Sequence, residues 1–121
     1  MAIPRISSRE ARQYVQNMRV FKNHNKTLWG EWYEQGIPET GEIVKRYCVY
    51  SYHYDWPLFV AEQDEQGTWH WYENADRFSV TTSKHRGQTH PHVHTVPMTV
   101  QAMNRIVREG IVGLAVRGEA R

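Results

Sequence analysis

The sequence contains a single cysteine, Cys48, so no disulfide can form within the chain. Proteins without disulfides are typical of reducing compartments. The chain has no apolar run long enough to span a membrane, and residues 1–5 lack the apolar core of a secretory signal. We therefore expect a protein of the cytoplasm, with no membrane partner.

Charge is distributed unevenly along the 121 residues, a length that suits one domain over 1–121. Residues 1–26 hold six Lys and Arg against one acid, and residues 47–76 hold six acids and no Lys or Arg. Residues 77–121 hold seven Lys and Arg against two acids. The pattern predicts a basic face that attracts phosphates and an acidic face that attracts basic surfaces. The alternative is that these charges only solvate loops and helix faces.

The start of the chain predicts a helix over about residues 7–20. Ser7 followed by Glu10 fits a capping box, in which each residue satisfies a backbone N–H near the helix start. Apolar side chains then recur at helical spacing and would share one face. They are Ala11, Tyr14, Val15 and Met18.

The rest of the chain predicts mainly strands. Residues 27–73 alternate in the manner of an antiparallel meander, and residues 77–97 are polar with no helical period, as in a loop or strand. Thr99 can cap a helix over about 99–109, and residues 111–116 read as a closing strand. We expect an α+β fold, a single small domain with an antiparallel sheet of about four to six strands and an N-terminal and a C-terminal helix.

The strongest functional signal is the polar run 79–88, which places hydroxyl groups beside cationic side chains. Hydroxyls donate hydrogen bonds at low desolvation cost, and Lys and Arg add charge-assisted bonds. Such a segment suits a phosphate, a nucleic-acid backbone or a carboxylate. The alternative is a solvated loop held by its own hydroxyl-to-backbone bonds. The predicted binding residues are Arg77, Ser79, Thr81, Thr82, Ser83, Lys84, His85, Arg86 and Gln88.

Histidines provide a second, weaker signal. If residues 90–94 are extended, His90, His92 and His94 point to one face and could hold zinc with an open position. Pro91 disturbs that geometry, and surface or core-capping histidines are the commoner explanation. His85 beside Ser83 is suited to proton transfer near neutral pH. We predict no metal and no cofactor.

Aromatic and acidic residues cluster between residues 47 and 76. Aromatic side chains on a sheet can stack on bases, but the acidic balance of these strands favours core and protein-contact roles. The acids themselves could mimic the charge of a nucleic acid. They are Asp55, Glu62, Asp64, Glu65, Glu73 and Asp76.

Several motifs in this region together resemble a group of small uncharacterised proteins carried by bacterial phages and other mobile elements. These motifs are Tyr50-Ser51-Tyr52, Trp56-Pro57-Leu58-Phe59-Val60, Trp71-Tyr72-Glu73-Asn74-Ala75-Asp76, and Thr81-Thr82-Ser83-Lys84-His85. The group has no established activity. This chain departs from its pattern at His53, where the resembling sequences tend to have glycine.

The resemblance implies a partner among host or phage macromolecules, and blocking a host defence that targets nucleic acid is one job of such proteins. Together with the run 79–88, it favours a binding protein that engages an anionic partner, either nucleic acid or an acidic protein surface. The alternatives are a small hydrolase or nuclease, using His85 and a His90/His92/His94 metal site, and an acidic nucleic-acid mimic. The sequence favours a binding role over an enzymatic one.

Overall fold

A computed structural model describes residues 3–116 of the chain. Seven strands and three α-helices make up this part, with one 3-10 turn at Ser8–Glu10. The strands are β1 (Arg5–Ile6), β2 (Phe21–Asn23), β3 (Leu28–Gly36), β4 (Ile43–Ser51), β5 (Pro57–Gln63), β6 (Trp69–Asn74) and β7 (Thr95–Met98). The helices are α1 (Ala11–Gln16), α2 (Val80–Thr89) and α3 (Val100–Val116).

All seven strands form one sheet, in which the spatial order follows the chain order. Strands β2 to β6 are an antiparallel meander, whereas β1 pairs parallel to β2 and β7 pairs parallel to β6. The predicted antiparallel sheet of four to six strands is therefore wrong. The two outer strands connect to their neighbours through helical segments, and such crossovers produce parallel pairs. Strand β1 has two residues and β7 has four, which is too few to show the alternation of polar and apolar side chains that predicts a strand.

Residues 80–89 form a helix, so the prediction of a loop or strand over 77–97 is wrong for this part. Ser79 caps the helix, because its Oγ accepts a hydrogen bond from the backbone N–H of Thr82 at 3.0 Å. The buried side of α2 consists of Thr82, His85 and Thr89. An inward face made of polar residues has no hydrophobic periodicity, which is why the sequence pattern did not predict the helix.

The predicted closing strand over residues 111–116 is also wrong, because α3 continues through this segment. The helix predicted over 99–109 thus extends beyond its predicted end, and Gly110, with a φ of 74° and a ψ of 175°, kinks it at that point. The buried ion pair of Arg46 and Glu62 lies at this kink and contacts the helix on both sides of it. Arg46 Nη1 donates to the Val107 carbonyl at 3.2 Å, and Glu62 Oε1 accepts from the Ile111 N–H at 3.3 Å.

The predicted helix at 7–20 is shorter than expected. The capping box of Ser7 and Glu10 is present and begins the 3-10 turn Ser8–Glu10. Helix α1 follows directly and ends at Gln16, because Met18 adopts a left-handed φ of 50°.

Alternate residues of β4 point into two cores on opposite faces of the sheet. Tyr47 and Val49 pack with Ala11 and Val15 of α1. Cys48 and Tyr50 pack with α3 on the other face, and burial raises the pKa of the Cys48 thiol to about 12. No helix within residues 3–116 combines the length and apolar character needed to cross a membrane.

Candidate binding surface on α2

The inward side of α2 is attached to the end of β4 by a polar cluster. Ser51 Oγ lies 2.9 Å from His85 Nδ1 and 3.5 Å from Thr82 Oγ1. All three residues are buried. Tyr52, at a left-handed φ of 66°, stacks its ring on His85 with centroids 5.7 Å apart. Two of the predicted binding residues, Thr82 and His85, therefore hold the helix on the sheet and do not face a partner.

Arg86 is occupied by contacts to β6. Its Nη1 donates to the Asn74 carbonyl at 2.7 Å, and its Nε lies 3.7 Å from Glu73 Oε2. Glu73 also accepts from the Thr95 hydroxyl at 2.7 Å and pairs with His90 Nε2 at 3.3 Å. Arg86 thus ties α2 to β6 and β7, so it is a poor candidate for binding a partner.

The outward side of α2 has a different character. Arg77, Ser79, Thr81 and Lys84 are exposed, and Ser83 and Gln88 are partly exposed. Within the described part of the chain, neither Arg77 nor Lys84 forms a side-chain hydrogen bond or ion pair. Phe78 and Val80 lie beside them, with 67% and 88% of their surfaces exposed. The candidate surface is this outward side together with residues 77–79, which lead into the helix, and it combines cations without described partners, hydroxyls and apolar side chains.

Residues near the start of the chain also lie next to α2, although they were not among the predicted binding residues. The turn Ser8–Glu10 and α1 both pack against α2. Arg12 donates from Nε to the His90 carbonyl at 2.8 Å and from Nη2 to the Gly87 carbonyl at 2.6 Å, which caps the end of α2. Arg9 is exposed and adds a cation without a described partner next to α2.

Burial of His85 predicts a pH dependence of stability. Burial first, and then the nearby Lys84 charge, lower the pKa of His85 from its ordinary value of 6.5. Below pH 6.5 the unfolded chain therefore binds a proton that the folded chain excludes, so the free energy of unfolding falls as pH falls. We expect His85→Gln to show a smaller fall over the same range, measured by denaturant unfolding at several pH values. Parallel profiles for the two proteins would contradict a buried neutral His85.

The three C-terminal histidines do not converge. Residues 90–94 are not extended, because His92 has a left-handed φ of 58°. The His90 and His92 rings are 5.9 Å apart, and His90 faces Glu73 and the ring of Phe59. Within residues 3–116 there is no group of three or more His, Cys, Asp or Glu side chains arranged to hold a metal.

Four of the six acids that could mimic a nucleic acid contact other residues of this chain. Glu62 pairs with buried Arg46, and Glu73 contacts Arg86. Asp64 accepts from the Gln66 and Thr68 N–H groups and pairs with His70, and these hydrogen bonds, led by that of His70, lower its pKa. Asp76 accepts from the Val100 N–H at 2.9 Å. These four acids lie on different elements, and each already contacts a partner within the chain.

Comparison with known proteins identifies no relative: no family model, no curated protein and no solved structure matches this chain. The likeness to phage and mobile-element proteins stays a prediction from the motifs. The proposed function therefore depends on the chemistry of the candidate surface.

Proposed function

We propose that this chain is a binding protein that engages an anionic macromolecule through the outward side of α2. The observation that supports this proposal is the set of exposed cations without described partners at Arg9, Arg77 and Lys84. The exposed hydroxyl of Thr81 and the amide of Gln88 add hydrogen bonds that orient the partner. Nucleic acid and an acidic protein surface are the two partners with the required charge.

The rigid attachment of α2 supports a binding role. Its inward side is held by Ser51 and Asn74, and its end is capped by Arg12. A surface that is already ordered loses little conformational entropy when a partner binds. The outward cations are therefore displayed on a fixed support.

Catalysis by His85 receives less support from the geometry. His85 is 5% exposed and Ser51 is 1% exposed, so neither offers an accessible reacting atom. A serine nucleophile also needs a base that a third group orients. In this structure, the Ser51–His85 contact holds α2 on the sheet.

The motif resemblance suggests where such a binding protein would act and on what kind of target. A small protein of a phage or mobile element that grips an anionic macromolecule would act in the cytoplasm of its bacterial host. Interference with a host defence that targets nucleic acid fits this setting, because such systems expose both nucleic acid and the surfaces that bind it.

Removal of two outward cations tests the proposal. We expect Arg77→Ala with Lys84→Ala to weaken binding to a labelled oligothymidylate, duplex DNA or polyglutamate, whichever binds the unmodified protein. For a single-stranded probe, the slope of log affinity against log salt should fall by about 0.7 for each phosphate that is no longer neutralised. Fluorescence anisotropy over a salt series measures both quantities.

The control variant is Lys45→Ala with Arg108→Ala, which removes the same charge from exposed positions on β4 and α3. We expect it to bind as the unmodified protein does. Equal affinities for the two double variants would contradict a role for α2, and failure of all three probes to bind at low salt would contradict the proposed function itself.

A further inference from the structure

A row of side chains crosses four strands on the face of the sheet that carries α3. The sheet register pairs Arg5 with Lys22, Lys22 with Trp29, and Trp29 with Tyr50. Directly paired residues on neighbouring strands point to the same face. Two cations therefore lie in line with two stacked aromatic rings, although these residues are far apart in the sequence.

One face of the Trp29 indole is free of the neighbouring rings. Tyr50 stacks on Trp29, with centroids 5.4 Å apart and planes 25° apart. Tyr54 lies 5.1 Å from both rings. A ring on the far side of Trp29 would be much farther from Tyr50 than this, so Tyr54 lies on the Tyr50 side. Among the described residues, no aromatic ring stacks on the opposite face of the indole, which is the face that a planar ligand would use.

Trp29 lines a cavity of about 350 Å³ beside β2 and β3, a volume in the range of small-molecule sites, roughly 300–1,000 Å³. Exposed Ile3 and Tyr54 lie at its wall, with 46% and 66% of their surfaces exposed. Lys22 and Lys26 complete the cationic part of the wall. The cavity thus combines an aromatic platform with two ammonium groups.

The carboxylate of Glu31, which also lines this cavity, accepts hydrogen bonds from two of the aromatic side chains. Glu31 Oε1 accepts from the Trp29 indole N–H at 2.7 Å, and the same carboxylate hydrogen-bonds the Tyr54 hydroxyl, which raises the pKa of that tyrosine. Lys22 and Lys26 have no described side-chain partner. Two lysines against one carboxylate give the cavity a net positive charge, which favours an anionic ligand, and the indole favours a ligand that carries an aromatic ring.

We propose that this cavity binds one nucleotide of a single-stranded nucleic acid, with its base on the free face of Trp29 and its phosphates on Lys22 and Lys26. The proposal rests on the proposed function and names its partner. A single strand is required because a duplex keeps its bases stacked inside, whereas stacking on a protein ring needs an open base.

Two further exposed cations, Arg5 and Arg9, lie on β1 and on the turn that packs against α2. Arg5 continues the row to the edge of the sheet, and Arg9 follows on the turn that packs against α2. Both side chains are exposed and have no described partner. Exposed cations therefore lie on the two elements that follow Ile3 of the cavity wall along the chain.

Titration with an oligothymidylate tests the proposal, with tryptophan fluorescence and anisotropy as readouts. We expect Trp29→Leu to weaken binding about tenfold or more, since loss of one base stack has effects of this size. Lys22→Ala with Lys26→Ala should weaken binding and lower the salt slope by about 0.7 for each phosphate left without a cation. Duplex DNA of the same length should bind less tightly than the single strand.

A second tryptophan variant serves as the control for Trp29→Leu. Trp69→Leu changes another half-buried tryptophan, on the opposite face of the sheet, and should leave affinity unchanged. If Trp29→Leu does not fold, the double lysine variant decides the question alone. Unchanged binding by that variant, with weakened binding by Arg77→Ala/Lys84→Ala, overturns the nucleotide site and leaves the proposed function standing. Binding of polyglutamate or duplex DNA but not of oligothymidylate has the same meaning, and failure of all three probes to bind contradicts both proposals.

Discussion

Replacement of Arg46 by alanine is expected to lower the free energy of unfolding by about 3–5 kcal/mol. Arg46 Nε lies 2.7 Å from Glu62 Oε2, and the two side chains are only 5% and 13% exposed. The substitution leaves a largely buried carboxylate without its counter-charge. It also removes the donor to the Val107 carbonyl at the kink in α3. Denaturant unfolding measures the change.

The exposed pair of Lys45 and Glu34 provides the control. Its atoms are 3.6 Å apart, and the side chains are 59% and 57% exposed. Solvent screens such a pair, so Lys45→Ala should cost about 0–1 kcal/mol. A loss of stability in Arg46→Ala no larger than in Lys45→Ala would contradict the buried ion pair. We further expect Arg46→Met with Glu62→Leu to be more stable than Arg46→Ala, because no unpaired charge remains.

The second large effect is expected for Gly30→Ala, which should cost about 1–3 kcal/mol through overpacking. A Cβ at Gly30 would overlap the hydroxyl of Tyr47 and lie 2.6 Å from Phe21 Cε1. Tyr47 is fully buried, and its hydroxyl donates to the Arg19 carbonyl at 2.7 Å. Neither ring can move without disturbing the core below α1. Thermal or denaturant unfolding of the variant measures the cost.

Gly36 lies on the same strand and serves as the matched control. A Cβ at this position meets no atom within 4 Å. Gly36→Ala should therefore leave stability unchanged or raise it by about 0.5–1 kcal/mol, since alanine loses less backbone entropy than glycine. Equal stabilities for Gly30→Ala and Gly36→Ala would mean that the core around Tyr47 is looser than the structure indicates.

The Arg46 variant also separates folding from binding. Arg46 is buried and lies outside both the outward side of α2 and the Trp29 cavity, which Gly30 helps to line. Folded Arg46→Ala protein is expected to bind a polyanion as the unmodified protein does. The variants at Arg77 and Lys84 should show the reverse, with unchanged stability and weakened binding, because surface substitutions change stability little.

Part of the candidate site was predictable because capping and charge are local properties. The run 79–88 contains the exposed Lys84 and Thr81, and Ser79 has the chemistry of a helix cap. The helix itself was not predictable from periodicity, because Thr82 and His85 bury hydroxyl and imidazole groups. The burial of His85 depends on Ser51, which lies 34 residues away in the sequence.

Local pattern by itself determined the alternation of β4, the capping box of Ser7 and the kink at Gly110. Each depends on residues within a few positions of one another, so backbone preference and side-chain spacing suffice. Only the tertiary structure decided that β1 and β7 pair parallel to their neighbours, and that the first of these pairs aligns Arg5 with Lys22 beside Trp29. Sheet register is set by hydrogen bonds and core packing between distant segments, and no local pattern contains that information.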